Sequence, residues 1–295
     1  MNEDDDKPPS RSGEARALLK IGGEVVADRS ALVGLLAGVR RLTEHGWRFA
    51  IVHGAGPQAN ELQAQLGIAP KKIGGRRVTD AATLRVVKQA LAGEVNVDVV
   101  AAALGQGLRA VGIAAGSGGL VVAHARPPGR VPGEGDTLVD YGFVGEVAAV
   151  DPRLIEHLWA GGYTPVINPV SIAGSGSAEI PQVYNVNADT VASAVAHALA
   201  VDHLFLVTSV PGVLRDKDDP TTRIPVLTVS EARRAIADGV IVGGMIPKVE
   251  DVLHLLDRGI GAVHIMGPSG EALAGEATQP GRFGTVLRPD GARHV

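Results

Sequence analysis

The chain has 295 residues, enough for one large or two medium domains with a full core. A net charge of -4 and 3% aromatic residues supply neither the basic face nor the stacking rings of a nucleic-acid binder, and the absence of cysteine excludes disulfides, thiolate zinc sites and cysteine nucleophiles. No apolar run reaches the roughly 18 residues of a membrane span, and the acidic start Met1-Asn2-Glu3-Asp4-Asp5-Asp6 is the opposite of a signal peptide, so a cytoplasmic protein with no membrane or nucleic-acid partner is expected.

Residues 1–16 are charged, proline-containing and without apolar period, and read as a disordered tail. Residues 18–21 form a short buried strand carrying Lys20 at its tip, before Gly22-Gly23. Leu32, Leu35, Leu36, Val39 and Leu42 recur at helical spacing and predict a helix over 30–45. A second buried strand, 49–52, runs into His53-Gly54-Ala55-Gly56-Pro57, where Pro57 suits the first turn of the next helix. Helices follow over 79–91 and 95–104, strands over 111–114 and 120–123, and a glycine- and proline-rich hairpin or loop over 126–140. A helix at 152–160 and a strand at 164–169 come next. The last part holds helices 189–199, 230–238 and 246–258 with strands 203–208 and 262–266. Strands alternating with helices imply an α/β fold, with a mainly parallel sheet covered on both faces. Ligands of such sheets sit beyond the carboxyl ends of the strands, where Gly22-Gly23, Gly54–Gly56 and Ser209–Gly212 fall. A soft boundary near 173–182 divides the chain into halves.

Each motif has a sharp and a plain reading. Lys20 before Gly22-Gly23 fits a lysine reaching phosphate oxygens, or an edge lysine before a turn. Gly54–Gly56 fits an anion site made of backbone N–H groups, or an ordinary tight turn. It lacks the Gly-Lys-Ser/Thr of a P-loop and the third glycine of a dinucleotide fingerprint. His53 fits a core histidine better than a catalytic base. In Gly74-Gly75-Arg76-Arg77-Val78-Thr79-Asp80 an arginine could clamp a carboxylate, or the segment is a solvated turn before a Thr-Asp cap. Asn185, Asn187 and Asp189 alternate, so on an extended segment they would face one way. Lys248, in the first turn of a helix after Gly243-Gly244, is electrostatically unfavourable without an anion nearby. The carboxylates and histidines show no metal-ligand spacing, so no dedicated metal site is expected.

In this order, Lys20-Ile21-Gly22-Gly23, His53–Pro57, Gly75–Asp80, Gly142-Phe143-Val144-Gly145-Glu146-Val147, Asn185–Asp189, Val210–Leu214, Gly243–Lys248 and Gly284-Thr285 resemble the amino-acid-kinase family. The resemblance implies an open three-layer α/β/α sandwich. Its N-terminal lobe, 17–180, would bind an acyl amino acid, and its C-terminal lobe, 181–295, would bind ATP. The reaction it implies moves the γ-phosphoryl of ATP to the γ-carboxylate of N-acetyl-L-glutamate, an acyl phosphate of arginine biosynthesis. A carboxylate nucleophile is ionised at neutral pH and needs no strong base.

By the same resemblance Lys20 and Lys248 stabilise the transition state and Asp189 orients them. Gly23, Ala55 and Gly56 offer backbone N–H groups to the substrate. Arg77, Asn185 and Asn187 bind it. Ser209, Val210, Pro211, Gly212, Val213 and Leu214, with Val240, Ile241 and Val242, contact the nucleotide. Mg²⁺ would ride on the phosphates rather than in a protein cage. The chain departs from the family pattern in three places: Ala55 stands for a glycine, where a methyl could crowd the pocket or change substrate size, Ser209 stands for an aspartate, and the glycine-rich Ala115–Gly119 replaces a stretch that usually carries an acidic residue. Residues 1–16 cannot form the apolar N-terminal helix that links dimers into hexamers in arginine-inhibited members, so a homodimer is expected. Two alternatives are a sister kinase acting on a carrier-bound aminoadipate or glutamate and a non-catalytic regulatory subunit. Retention of Lys20, Asp189 and Lys248 together argues against the second, because unpaired buried charge is costly.

Overall fold

The computed structural model describes residues 15–131, 138–174, 180–216, 218–242 and 245–291. The first half runs β1 (Arg16–Ile21), the single turn α1 (Gly23–Ala27), α2 (Arg29–Glu44), β2 (Arg48–His53), α3 (Gly56–Gln65), β3 (Lys72–Ile73), β4 (Arg76–Arg77), α4 (Ala81–Val87) and α5 (Asn96–Gly105). It continues through β5 (Ala110–Ala114), β6 (Val121–Ala125), β7 (Gly145–Val150), α6 (Arg153–Ala160), β8 (Thr164–Asn168), β9 (Val170–Ala173) and β10 (Val183–Asn185). The second half is α7 (Ala188–Ala198), β11 (His203–Val207), β12 (Val226–Thr228), α8 (Val229–Ala237), α9 (Met245–Asp257), β13 (Ala262–Met266), α10 (Gly270–Thr278) and β14 (Thr285–Arg288).

Eight strands form one sheet in the order β12-β14-β13-β11-β1-β2-β8-β5. Neighbours are parallel, except that β13 and β14 are antiparallel. β1 lies between β2 and β11, and its residues show why both faces must be covered. Ala17, Leu19 and Ile21 pack with α2, α5 and α10, whereas Leu18 packs with α6, α7, α8 and α9. By strand alternation Lys20 shares the face of Leu18 and α7. The chain winds from β1 to β2 on one side and from β11 to β13 on the other, so strand order reverses between β1 and β11. A crevice opens at such a point, beyond the carboxyl ends of the strands.

Close packing of α2 on α10 depends on glycine. A Cβ on Gly270 would lie 1.9 Å from Gly34 O, and one on Gly38 would lie 2.5 Å from Gly270 O. A second, four-stranded sheet has the order β10-β9-β6-β7. Its β6–β7 hairpin contains the Gly129–Val139 bridge inside the hairpin or loop expected at 126–140, of which 132–137 lie outside the described residues.

The helices expected at 79–91 and 95–104 are one rod, α4 and α5 joined by a π-helical segment, Lys88–Val95. Of the expected tail, residues 1–14 lie outside the described residues. Arg16 opens β1, its N–H donating to Asp202 Oδ2 at 3.0 Å.

Candidate active site

The site is built where β1, β2 and β11 end. Lys20 reaches across to α7, and its Nζ lies 2.7 Å from Asp189 Oδ1. The Lys20 side chain is 13% exposed and that of Asp189 is 55% exposed, so the pair sits at the rim of the interior. Asp189 stands in the first turn of α7, where the helix dipole favours a carboxylate even before Lys20 is counted.

Asn187 is the residue that caps this helix, its Oδ1 accepting from Asp189 N (2.7 Å) and Thr190 N (3.3 Å). The extended segment expected through 185–189 therefore stops at Asn187, which keeps extended backbone as the cap, and the chain is helical from Ala188. Asn185 closes β10 instead and donates from Nδ2 to Thr79 Oγ1 at 3.1 Å.

The glycine loops after β1 and β2 are drawn together by Gly54 N, which donates to Ile21 O at 2.9 Å. A Cβ on Gly23 would fall 2.8 Å from Gly56 N, so the approach tolerates only glycine there. Gln58 Nε2 closes the contact by donating to Gly23 O at 2.9 Å. α3 begins at Gly56 with Pro57 in its first turn and no side-chain cap, which leaves its N-terminal dipole directed at the crevice. Ala55 is buried and its methyl belongs to the apolar cluster under α2, so it does not crowd the crevice as expected from sequence.

Together Lys20, Gly23, Gly56, Lys72, Asp189 and Ser209 border a cleft of about 430 Å³. Of the residues predicted from sequence, five meet here directly. Arg77 stands beside it: its Nη2 donates to Asn60 Oδ1 (2.5 Å) and Gly56 O (3.2 Å), and its Nη1 to Gln63 Oε1. Burial lowers the Arg77 pKa, and among the described residues no carboxylate pairs with it. Thr79 Oγ1 donates to Arg77 O at 3.5 Å, which connects Arg77 to Asn185.

Lys248 is the fourth residue of α9, but its side chain, like Gly243 and Gly244, lies outside the described part of the structure. Asp251, one turn on, has its pKa raised by burial and by the negative charge of Asp189.

The expected nucleotide segment 209–214 is a loop tied down by hydrogen bonds. Thr208 Oγ1 donates to Val210 O (2.9 Å), and Thr285 Oγ1 accepts from Val213 N (2.8 Å). Gly212 has φ +156°, and a Cβ there would lie 2.5 Å from Thr285 Oγ1. Leu214 bridges to Arg223, whose guanidinium donates to Gly281 O, Arg282 O and Gly284 O. The side chains of Val213 and Ile241 are in the core, while Val242 is exposed; Val240 and Ile241 donate their N–H groups to Ala235 O. Any contact of Val213 or Ile241 with a ligand must therefore run through the backbone.

Lys72 and Asn60 were not singled out as site residues by the sequence. Lys72 pairs with Arg77 across the β3–β4 hairpin, a register that no short polar segment reveals before folding.

The match to the Amino acid kinase family description runs over residues 15–267. The chain belongs to that family. Among its relatives, a protein named acetylglutamate kinase from Sorangium cellulosum is 45% identical over 98% of this chain and 100% of its own length. Another of that name, from an Anaeromyxobacter species, is 45% identical over 92% of this chain and 98% of its own. The crystal structure of smu.665 from Streptococcus mutans superimposes with a TM-score of 0.71 at 27% identity, covering 93% of this chain and 99% of that one. The amino-acid-kinase fold accounts for the large, mainly parallel sheet with helices on both faces. Of the eight sequence motifs, those at Lys20, Gly56 and Asp189 converge on one cleft.

Proposed function

We propose that this member of the amino-acid-kinase family is an acetylglutamate kinase: it transfers the γ-phosphoryl of ATP to the γ-carboxylate of N-acetyl-L-glutamate, the acyl-phosphate step of arginine biosynthesis. The observation that carries the reading is the Lys20–Asp189 pair facing the uncapped start of α3 across the cleft. A carboxylate oxygen attacks the γ-phosphorus, the bond to the β,γ-bridging oxygen breaks, and ADP leaves with that electron pair. Charge grows on the equatorial and leaving oxygens, and fixed cations and amides stabilise it without reorganising. Lys20 supplies one cation, held in place by Asp189. Lys248 supplies the second from α9. The amides of Gly23, Ala55 and Gly56 receive the anionic oxygens of the acceptor.

Arg77 and Asn185 hold the acceptor's other carboxylate end, with Asn187 acting by fixing the start of α7. Residues 209–214 and 240–242 face the nucleotide, which assigns the acyl amino acid to the lobe 17–180 and ATP to 181–295. Mg²⁺ would accompany the nucleotide's phosphates, where it would neutralise their charge.

No helix among the described residues is long and apolar enough to cross a membrane, and a cytoplasmic site of action fits this reaction. A homodimer is supported by the exposed apolar stripe Val97, Ala101 and Leu104 on α5, spaced to form one helical face. Sedimentation of Leu104→Glu should give monomer if that stripe is the contact, and an unchanged dimer would refute it.

The direct test is ADP release with ATP and Mg²⁺, with and without N-acetyl-L-glutamate. Release that is no faster with the acceptor present overturns the reading.

A further inference from the structure

His53, the last residue of β2, is fully buried and has no part in the steps above. Its ring is held from two sides. Asn96 Nδ2 donates to His53 Nε2 at 2.9 Å and to Val166 O at 3.1 Å, and these two acceptors fix which way the amide points. With Nε2 accepting, the ring proton sits on Nδ1, which faces Gly54 O at 3.4 Å. Burial keeps the ring neutral, its pKa lowered to about 4.

Asn96 faces inward because of the π segment. Thr83, Val87, Leu91, Val95, Val99 and Ala103 are buried at intervals of four residues. In an α-helix each such step drifts about 40° around the axis. The wider turns over Lys88–Val95 absorb the drift, so Asn96 stays against the sheet at 6% exposure.

A planar trans peptide points its C=O and the following N–H in opposite directions. With Gly54 O turned to the buried imidazole, the Ala55 N–H is turned away from it. Among the described residues neither the Ala55 nor the Gly56 amide makes a hydrogen bond within the protein, although Ala55 is only 2% exposed. A buried N–H without a partner is rare and calls for an acceptor from outside the chain.

We infer that His53 is a positioning residue: through the Gly54 carbonyl it aims the Ala55 and Gly56 amides at an anionic oxygen of the acceptor, and Asn96 fixes its tautomer for that task. The inference rests on the phosphoryl-transfer reading above.

Two substitutions separate positioning from packing. His53→Asn puts an amide nitrogen where the imidazole has Nδ1 and keeps a donor for Gly54 O. His53→Leu fills the space without one. Both are assayed for kcat and for KM of N-acetyl-L-glutamate. In ¹⁵N-alanine-labelled protein the Ala55 amide shift is followed as N-acetyl-L-glutamate is added. His53→Leu is expected to lose about 100-fold in kcat and the Ala55 response, whereas His53→Asn stays within about threefold of the parent and keeps the response. A folded His53→Leu with parental kcat overturns the inference, as does equal loss in both folded variants. The parent chain needs no substitution to speak: an Ala55 amide indifferent to both N-acetyl-L-glutamate and orthophosphate overturns it even where turnover is found. Parent protein without turnover but with an Ala55 response to orthophosphate instead removes the proposed acceptor and leaves the anion role of the amide intact.

Discussion

Acidification should destabilise this protein well before its carboxylates titrate, and His53 sets the scale. Burial lowers its pKa from 6.5 to about 4 in the fold. The unfolded chain takes up a proton at His53 below about pH 6.5 and the folded chain only near pH 4, so stability drains away as pH falls through that window. Between about pH 7 and about pH 5 one such histidine costs roughly 2 kcal/mol. His203 behaves alike, its pKa lowered to about 4 by burial and by neighbouring His264, so the parent loses more than His53 alone accounts for. Urea unfolding of the parent and of His53→Asn at the two pH values isolates the His53 share. The parent should lose roughly 2 kcal/mol more than the variant on acidification. Equal losses in the two proteins would refute the neutral, buried state assigned to His53.

Three further outcomes follow from the same geometry. Lys20→Met should lower kcat by about 10²–10³-fold with acceptor KM nearly unchanged. Its melting temperature should barely move, because Asp189 is 55% exposed and rehydrates when its partner is gone; an unaltered kcat would remove Lys20 from the chemistry. Arg77→Lys should raise acceptor KM far more than it changes kcat, since a lysine cannot reproduce the fork that binds Asn60, Gly56 and Gln63; steady-state kinetics with varied acceptor decide it. Gly270→Ala places a methyl 1.9 Å from Gly34 O and should cost about 1–3 kcal/mol in denaturant unfolding, while a variant as stable as the parent would contradict the α2–α10 contact.

The central strands were legible because burial on both faces makes them nearly continuous apolar runs, as in β1, β2 and β11. α2 was legible because its buried residues keep one helical stripe. Elements outside the central layer gave weaker signals. β7, β10, β12 and β14 are short or only half-buried, and α10 carries glycines at its start and middle, one required for contact with α2. The π segment escaped because Gly93 reads as a helix break, whereas the four-residue spacing of the buried side chains keeps the rod continuous.

In the site, Lys20 and Asp189 were readable because each stands at the end of a periodic run next to glycine or a cap. That they touch is a property of the β1–α7 packing, over 160 residues apart in sequence. Asn187 also caps α7 through its Oδ1, a role set by where that helix begins. Lys72 and Asn96 reach their positions through a hairpin register and a π turn, neither of which has a residue-type signature.

The proposed product is an acyl phosphate of N-acetyl-L-glutamate. Hydroxylamine trapping measures it most directly, with ATP and Mg²⁺ and with N-acetyl-L-glutamate, glutamate, aspartate or N-acetyl-aminoadipate as acceptor. Hydroxamate from N-acetyl-L-glutamate, far above that from the other three, is the predicted result. Hydroxamate from none of them, or preferentially from a different acid, would contradict it.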